Sequence, residues 1–213
     1  PQDSGPSRRA ALRRADALLR EAGWPVVDGL RTKAGRPLAF QILVSTADDE
    51  KIALSFVQTL KRMGISADVR APDSASFLDR LQDYDYDMVI SEWLSSLSPG
   101  TEQALYWGCA AAREKGRMNY AGICHPAIDS LIAELSRAPT REALIVRTRA
   151  LDRLLLAGYY VIPLFHTGVD FVAWHKGLNH PPQTPLYGLV PEVWWADPAP
   201  PLKIKAPAAR PPP

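Results

Sequence analysis

The side chains able to meet a ligand are concentrated between positions 91 and 124. The run Ser91-Glu92-Trp93-Leu94-Ser95-Ser96-Leu97-Ser98-Pro99-Gly100 offers a flat apolar ring with one donor, four short hydroxyls, and a Pro-Gly turn that lets the backbone approach a ligand closely. Glu102 and Gln103 follow where the first turn of a helix is expected, near Tyr106 and Trp107, and add a carboxylate and an amide. Asn119-Tyr120 supplies another amide and a phenol, either as ligand contacts or as a plain turn beside the core. Such a set binds: Trp93 to stack, Ser96, Ser98, Gln103 and Asn119 to bond polar backbone, Tyr120 beside them, and Glu102 to meet a cation.

Catalytic chemistry finds little support in the same residues. G-x-S-x-G, G-x-x-x-x-G-K-[ST], H-E-x-x-H and G-x-G-x-x-G do not occur, so hydrolase, nucleotide and dinucleotide fingerprints all fail. Cys109 or Cys124 with His125 or His166 could form a thiol and base in name, but no spacing places them within reach. His166 beside Phe165 reads as a structural histidine. With fourteen residues between them, the two cysteines are either a disulfide in an oxidising compartment or two buried thiols. Their spacing is not that of a zinc site, and no metal or other cofactor is expected.

An α/β lobe is the scaffold that would position these groups. Arg9 to Glu21 reads as a helix after an unstructured lead at residues 1–8, and the apolar run Leu38 to Val44 reads as a strand central in a sheet. A helix capped at Ser45-Thr46 and ending at Gly64, an alternating strand over 65–70, a helix opened by Pro72-Asp73-Ser74 and a strand from Tyr86 to Ile90 complete a βαβαβ pattern in a mainly parallel sheet flanked by helices. Ligands of such sheets bind beyond the carboxyl ends of the strands, which selects Ser45-Thr46 after the first strand and the segment after Ile90 at the third. Helices are expected over Pro126–Leu135 and, capped by Thr140, over Arg141–Leu156, whose arginines read as a solvated face. Two further strands are expected over Tyr159–Phe165 and Val169–Trp174. Residues 9–196 then form one lobe, and residues 197–213, seven of seventeen of them proline, an extended tail.

Bulk properties agree with a globular lobe. Of 213 residues, 46% are apolar and 23% charged, and 25 basic against 23 acidic side chains leave a net charge of +2. Nucleic acid is therefore not expected as a partner. The longest stretch without a fixed charge, Leu154 to Val169, holds a glycine and a proline and is too short to span a bilayer, so no membrane anchor is expected.

Taken together, Trp93 to Gln103, Tyr106-Trp107-Gly108-Cys109-Ala110-Ala111, Asn119-Tyr120-Ala121-Gly122-Ile123 and His125 to Ile132 resemble the C-terminal part of extracellular solute-binding proteins of family 5, nearest their microcin C and oligopeptide branch. The likeness extends over about residues 9–195, including Glu21-Ala22-Gly23-Trp24, Leu60 to Ile65 and Arg149 to Leu155. It implies a type II periplasmic-binding-protein fold in which two lobes close on a peptide or peptide-like solute and then dock on the permease of an ABC importer. This chain would be one lobe, in the periplasm, with the N-terminal lobe missing or separately encoded; on the alternative reading it is a structural half without binding of its own. Peptide receptors of this kind place an Asp shortly after the Trp that follows the third strand, to pair with the peptide amine. Here Leu94-Ser95-Ser96 stands there, leaving Glu102 as the substitute. A Cys109–Cys124 bridge would pin the binding loop.

Overall fold

Helix α1 (Arg8–Glu21) of the computed structural model begins inside the expected lead, because Ser7 accepts a bond from the Ala10 amide and caps it. The structure describes residues 7–93, 98–165, 169, 171–186 and 188–197. The chain divides into two units, Pro1–Ile162 and Pro163–Pro213.

In the first unit α1 leads into an antiparallel meander of β1 (Val26–Val27), β2 (Leu30–Lys33) and β3 (Arg36–Pro37). A parallel sheet follows in the order β5-β4-β6, with β4 (Ala39–Leu43) between β5 (Ser66–Arg70) and β6 (Met88–Val89). The apolar run thus takes the middle position expected of it. Between these strands lie α2 (Ala47–Arg62) and α3 (Ser74–Gln82), capped by Thr46 on the Asp49 amide and by Asp73 on the Ala75 and Ser76 amides. Ser45 and Thr46, which the sheet rule offered as a ligand position, spend their hydroxyls on Asp49 within that cap.

Strand β6 is shorter than the Tyr86–Ile90 expected. Asp87 is the reason: its carboxylate accepts the Gln41 amide at 2.8 Å, so a side chain takes the donor that a longer strand would have met with a carbonyl. Ile42, Val44, Ala53, Leu60, Ile65 and Ala67 form the core between sheet and α2. A second core sits where α5 (Pro126–Ser136) crosses α6 (Arg141–Ala157), around Ile123, Ile128, Ile132, Leu135 and Leu151. Thr140 caps α6 by accepting from Ala143.

Arg31 joins these parts to α1. Its side chain is only 2% exposed, and it donates to the carbonyls of Met63 and Trp24 and to the carboxylate of Asp16. Its own amide donates to the Gly64 carbonyl at 2.7 Å. Gly64 has φ +78°, and a Cβ there would lie 2.9 Å from the Gly29 carbonyl oxygen, so only glycine lets the meander close on the exit of α2.

The described residues of Tyr159–Phe165 and Val169–Trp174 contain no strand, contrary to expectation. A strand needs a neighbour to take its amides and a surface to cover its side chains. Here Tyr159 has a positive φ of 53°, and Phe165 and Phe171 are 76% and 95% exposed. The second unit instead pairs β7 (Leu178–Asn179) with β8 (Trp195–Ala196), beside the rings of Trp174, His180 and Trp194. His166 and the proline-rich 198–213 lie outside the described residues. Among the described residues no helix is long and apolar enough to cross a membrane.

The hydrogen bond from Arg31 holds the Asp16 carboxyl below its ordinary value of 3.8, against the opposing effect of desolvation. A carboxylate whose folded value is depressed stabilises the fold above its unfolded value, and that contribution is lost as pH falls through the folded one. Arg31→Met is expected to lower stability by about 2 kcal/mol, since it leaves the part-buried carbonyls of Met63 and Trp24 without their donor. It should also flatten the decline of stability below about pH 4, the carboxyl range at issue. Urea unfolding at pH 7 and at steps down to pH 3 reads both effects.

Candidate functional site

The segment that leaves β6 builds an aromatic cluster. Trp93 lies 4.8 Å, ring centre to ring centre, from Trp107 and 5.8 Å from Tyr120, while Tyr106 meets Trp107 edge-on at 6.2 Å. Trp107 reaches this position because it ends the short helix α4 (Gln103–Trp107), which brings its indole over Gln103 at the i, i+4 spacing. Trp93, Trp107, Tyr120, Glu102 and Gln103 are all half-buried, so each keeps part of its surface accessible.

Polar groups around the cluster are joined in one chain. The Trp107 Nε1–H donates to Gln103 Oε1 at 3.0 Å, and Gln103 Nε2 donates to Glu102 Oε1 at 3.2 Å. The same Glu102 oxygen accepts the Gly100 amide at 2.8 Å. Burial pushes the Glu102 carboxyl up, but the bonds from Gly100 and Gln103 outweigh it and hold the group below its ordinary value of 4.5. Glu102 is therefore a fixed negative charge at the edge of an aromatic surface. The Trp93 Nε1–H is spent on the Met118 carbonyl at 2.9 Å, so this indole offers a ligand its ring and not its donor.

Asn119 has a different role from the ligand contact that the sequence allowed. It is 0% exposed, and both ends of its amide are engaged: Nδ2 donates to the carbonyls of Gly108 and Ile123, and Oδ1 accepts the Ile123 amide. It holds the loop that carries Tyr120. The disulfide between Cys109 and Cys124 closes the same loop, and Asp129 in the first turn of α5 accepts the Cys109 amide at 3.0 Å. Gly108 is held so near α4 that a Cβ would lie 2.6 Å from the Ala104 carbonyl oxygen.

Of the residues proposed from sequence, Trp93, Glu102, Gln103 and Tyr120 belong to one connected cluster. Ser98 is exposed on the approach to Gly100, and Ser96 lies outside the described residues. Three residues that hold the cluster went unassigned. Trp107 lies between Trp93 and Tyr106, signalled by its spacing from Gln103. Tyr84 and Tyr86 reach across from the entry of β6, donating to the carbonyls of Ala111 and Tyr120 at 2.9 and 3.0 Å. Burial raises both of these tyrosines, so they remain neutral donors.

Residues 1–115 match the family model described as bacterial extracellular solute-binding proteins, family 5 Middle. The chain is 44% identical over 191 residues to an uncharacterized protein, y4wM, of Sinorhizobium fredii, covering 88% of this chain and 29% of that one. It is 39% identical over 192 residues to the probable peptide-binding protein YejA of Agrobacterium fabrum, covering 89% and 31%. The chain thus spans less than a third of the length of these relatives. Among solved structures it resembles the oligopeptide-binding protein AppA of Bacillus subtilis in complex with a nonapeptide, with a TM-score of 0.61 and 21% identity over 67% of this chain and 29% of that one. At that identity the likeness carries the fold, an α/β lobe of the type II periplasmic-binding-protein kind.

The loop between Gly108 and Cys124 depends on its bridge. Replacing Cys109 and Cys124 together by Ser should lower the free energy of unfolding by about 3 kcal/mol, the amount a closed loop of this length contributes. Urea titration of the variant against the oxidised protein checks this.

Proposed function

The chain belongs to the bacterial extracellular solute-binding proteins of family 5, and from that premise we propose that it forms the C-terminal part of the substrate-binding component of an ABC importer. In this reading it works in the periplasm, takes up peptides or peptide-like solutes in a cleft between two lobes, and hands them to a membrane permease. The family is one of binding proteins and not of enzymes.

One observation carries the peptide reading: Trp93, set between Trp107 and Tyr120, lies next to a carboxylate held in its charged form. Stacked rings offer a flat apolar surface to side chains or to the peptide plane. Glu102 answers a cationic group on the ligand, and the Tyr120 hydroxyl, with no partner among the described residues, is available to donate or accept. The donors that would compete with a ligand are already paired inside the protein, so the surface is pre-organised and binding need not order it. The likeness to the probable peptide-binding protein of Agrobacterium fabrum supports a peptide ligand.

A second reading follows from the share of the relatives that this chain covers, 29% and 31%. Here the chain is a structural half that pairs with a separately made N-terminal partner and has no ligand binding of its own. In two-lobe closure each lobe desolvates part of the ligand, so one lobe alone holds little of the affinity. Calorimetric titration with an oligopeptide separates the two. The importer reading expects saturable binding once the N-terminal portion of a relative is added, and no such binding by either piece alone. Absence of binding by the reconstituted pair would remove the peptide reading.

In the reconstituted receptor Trp93→Ala should weaken peptide binding by about tenfold, the worth of a well-packed aromatic anchor. Because the folded value of Glu102 lies below 4.5, its charge persists as pH falls to that point and is lost only beneath it. Affinity for peptides with a free amine should accordingly hold from pH 7 to about 4.5 and fall below, and Glu102→Gln should remove that dependence. The same titration at stepped pH measures it.

A further inference from the structure

A groove of about 760 Å³ opens between α1, the exit of α2 and the meander, away from the aromatic cluster. Arg9 and Arg13 reach it from one face of α1, and Lys61 and Arg62 from the last turn of α2. All four are exposed, and none forms a salt bridge among the described residues. The only carboxylate in the lining, Asp16, is already bonded to Arg20 and to buried Arg31. Arg8 lies next to this set and shares the Thr59 hydroxyl with Arg62. A chain with a net charge of +2 has thus gathered four unanswered cations around one depression. Like charges so placed repel one another, and an anion set among them relieves the repulsion.

The groove is also apolar where it is not cationic. Leu12, Val26 and Met63 line it between the charged heads. The hairpin that forms one wall leaves Val26, Val27 and Leu30 at 43%, 50% and 45% exposure, with exposed Asp28 at its turn and half-buried Trp24 at its base. Cations beside protruding aliphatic side chains match a bilayer interface, where headgroup phosphates meet the one and the acyl boundary the other. A soluble phosphate or an acidic peptide would use the cations and leave the hairpin tip in water.

We infer that the groove between α1 and the α2 exit docks this protein on the phosphate headgroups of an anionic membrane leaflet. Guanidinium groups of Arg9, Arg13 and Arg62 pair with phosphate oxygens in bidentate fashion, Lys61 adds a point charge, and the aliphatic side chains of Val26, Val27 and Leu30 rest in the interface while Asp28 stays at the level of the headgroups. The arrangement goes beyond the peptide reading and does not depend on it, since it uses none of the same side chains.

Co-sedimentation of the full 213-residue chain with lipid vesicles tests it. Vesicles of phosphatidylcholine with a third phosphatidylglycerol should capture the protein at low salt and release it at high salt, while pure phosphatidylcholine should not. Arg9→Gln with Arg13→Gln keeps good helix formers in α1 and should cost at least tenfold in partition. Arg149→Gln with Arg153→Gln on exposed positions of α6 removes the same charge and should leave partition unchanged. Val27→Ser, which alters no charge, should also weaken capture. Far-UV circular dichroism and melting curves confirm that each variant is folded. Equal loss in the α1 and α6 pairs would overturn the inference in favour of net charge alone. Displacement by millimolar inorganic phosphate would overturn it in favour of a soluble anion, and capture by polyglutamate without capture by vesicles in favour of an acidic protein.

Discussion

The chain between Gly108 and Cys124 must satisfy its backbone without an α-helix or a sheet ladder, and the aromatic cluster is held in place only because that is done from within. Asn119 is the centre of this arrangement. Its buried amide bonds three backbone groups that would otherwise be stranded, at Gly108 and Ile123, and so fixes both ends of the loop bearing Tyr120. Tyr84 and Tyr86 then engage the carbonyls of Ala111 and Tyr120, Asp129 engages the Cys109 amide, and the disulfide closes the remaining gap. With these bonds made, Trp93 can rest on Trp107 and Tyr120 with its own donor already occupied.

Such wiring separates the side chains that keep an accessible surface from those that hold them. Glu102 stands between the classes, because one of its oxygens closes the Gly100 turn while its charge remains available at the surface. Gln103 is wholly a connector, accepting from Trp107 and donating to Glu102. What the cluster presents outward is therefore ring faces, a phenol and a carboxylate. On the proposed reading such a surface suits solutes with flat or apolar groups near a positive charge, and a surface already wired from within leaves little to be ordered on binding.

Much of the lobe was legible in the sequence because its signals are local. The apolar run after Leu38 could be assigned to a central strand from its lack of alternation, and Thr46, Asp73 and Thr140 announced their helices by capping chemistry. The aromatic site was legible as a neighbourhood. Its internal division was not: a buried Asn and an exposed one have the same letter, and only the carbonyls of Gly108 and Ile123, brought in by the fold, decide between them. The strand assignments after Tyr159 failed for a related reason. Apolar periodicity shows that a segment could be covered, but a strand requires a neighbour, and among the described residues none pairs with that stretch. Asp87 shortened β6 through a side-chain bond to Gln41 that no periodicity contains.

The three-stranded parallel sheet ends differently on its two sides. At one margin β5 carries Asp68 and Arg70, paired at 3.7 Å, and charges so placed discourage another chain from adding a strand. At the other, β6 offers only Met88 and Val89, too little backbone to template a stable intruder. Addition of a further strand to this sheet is thus opposed at one margin by electrostatics and at the other by brevity.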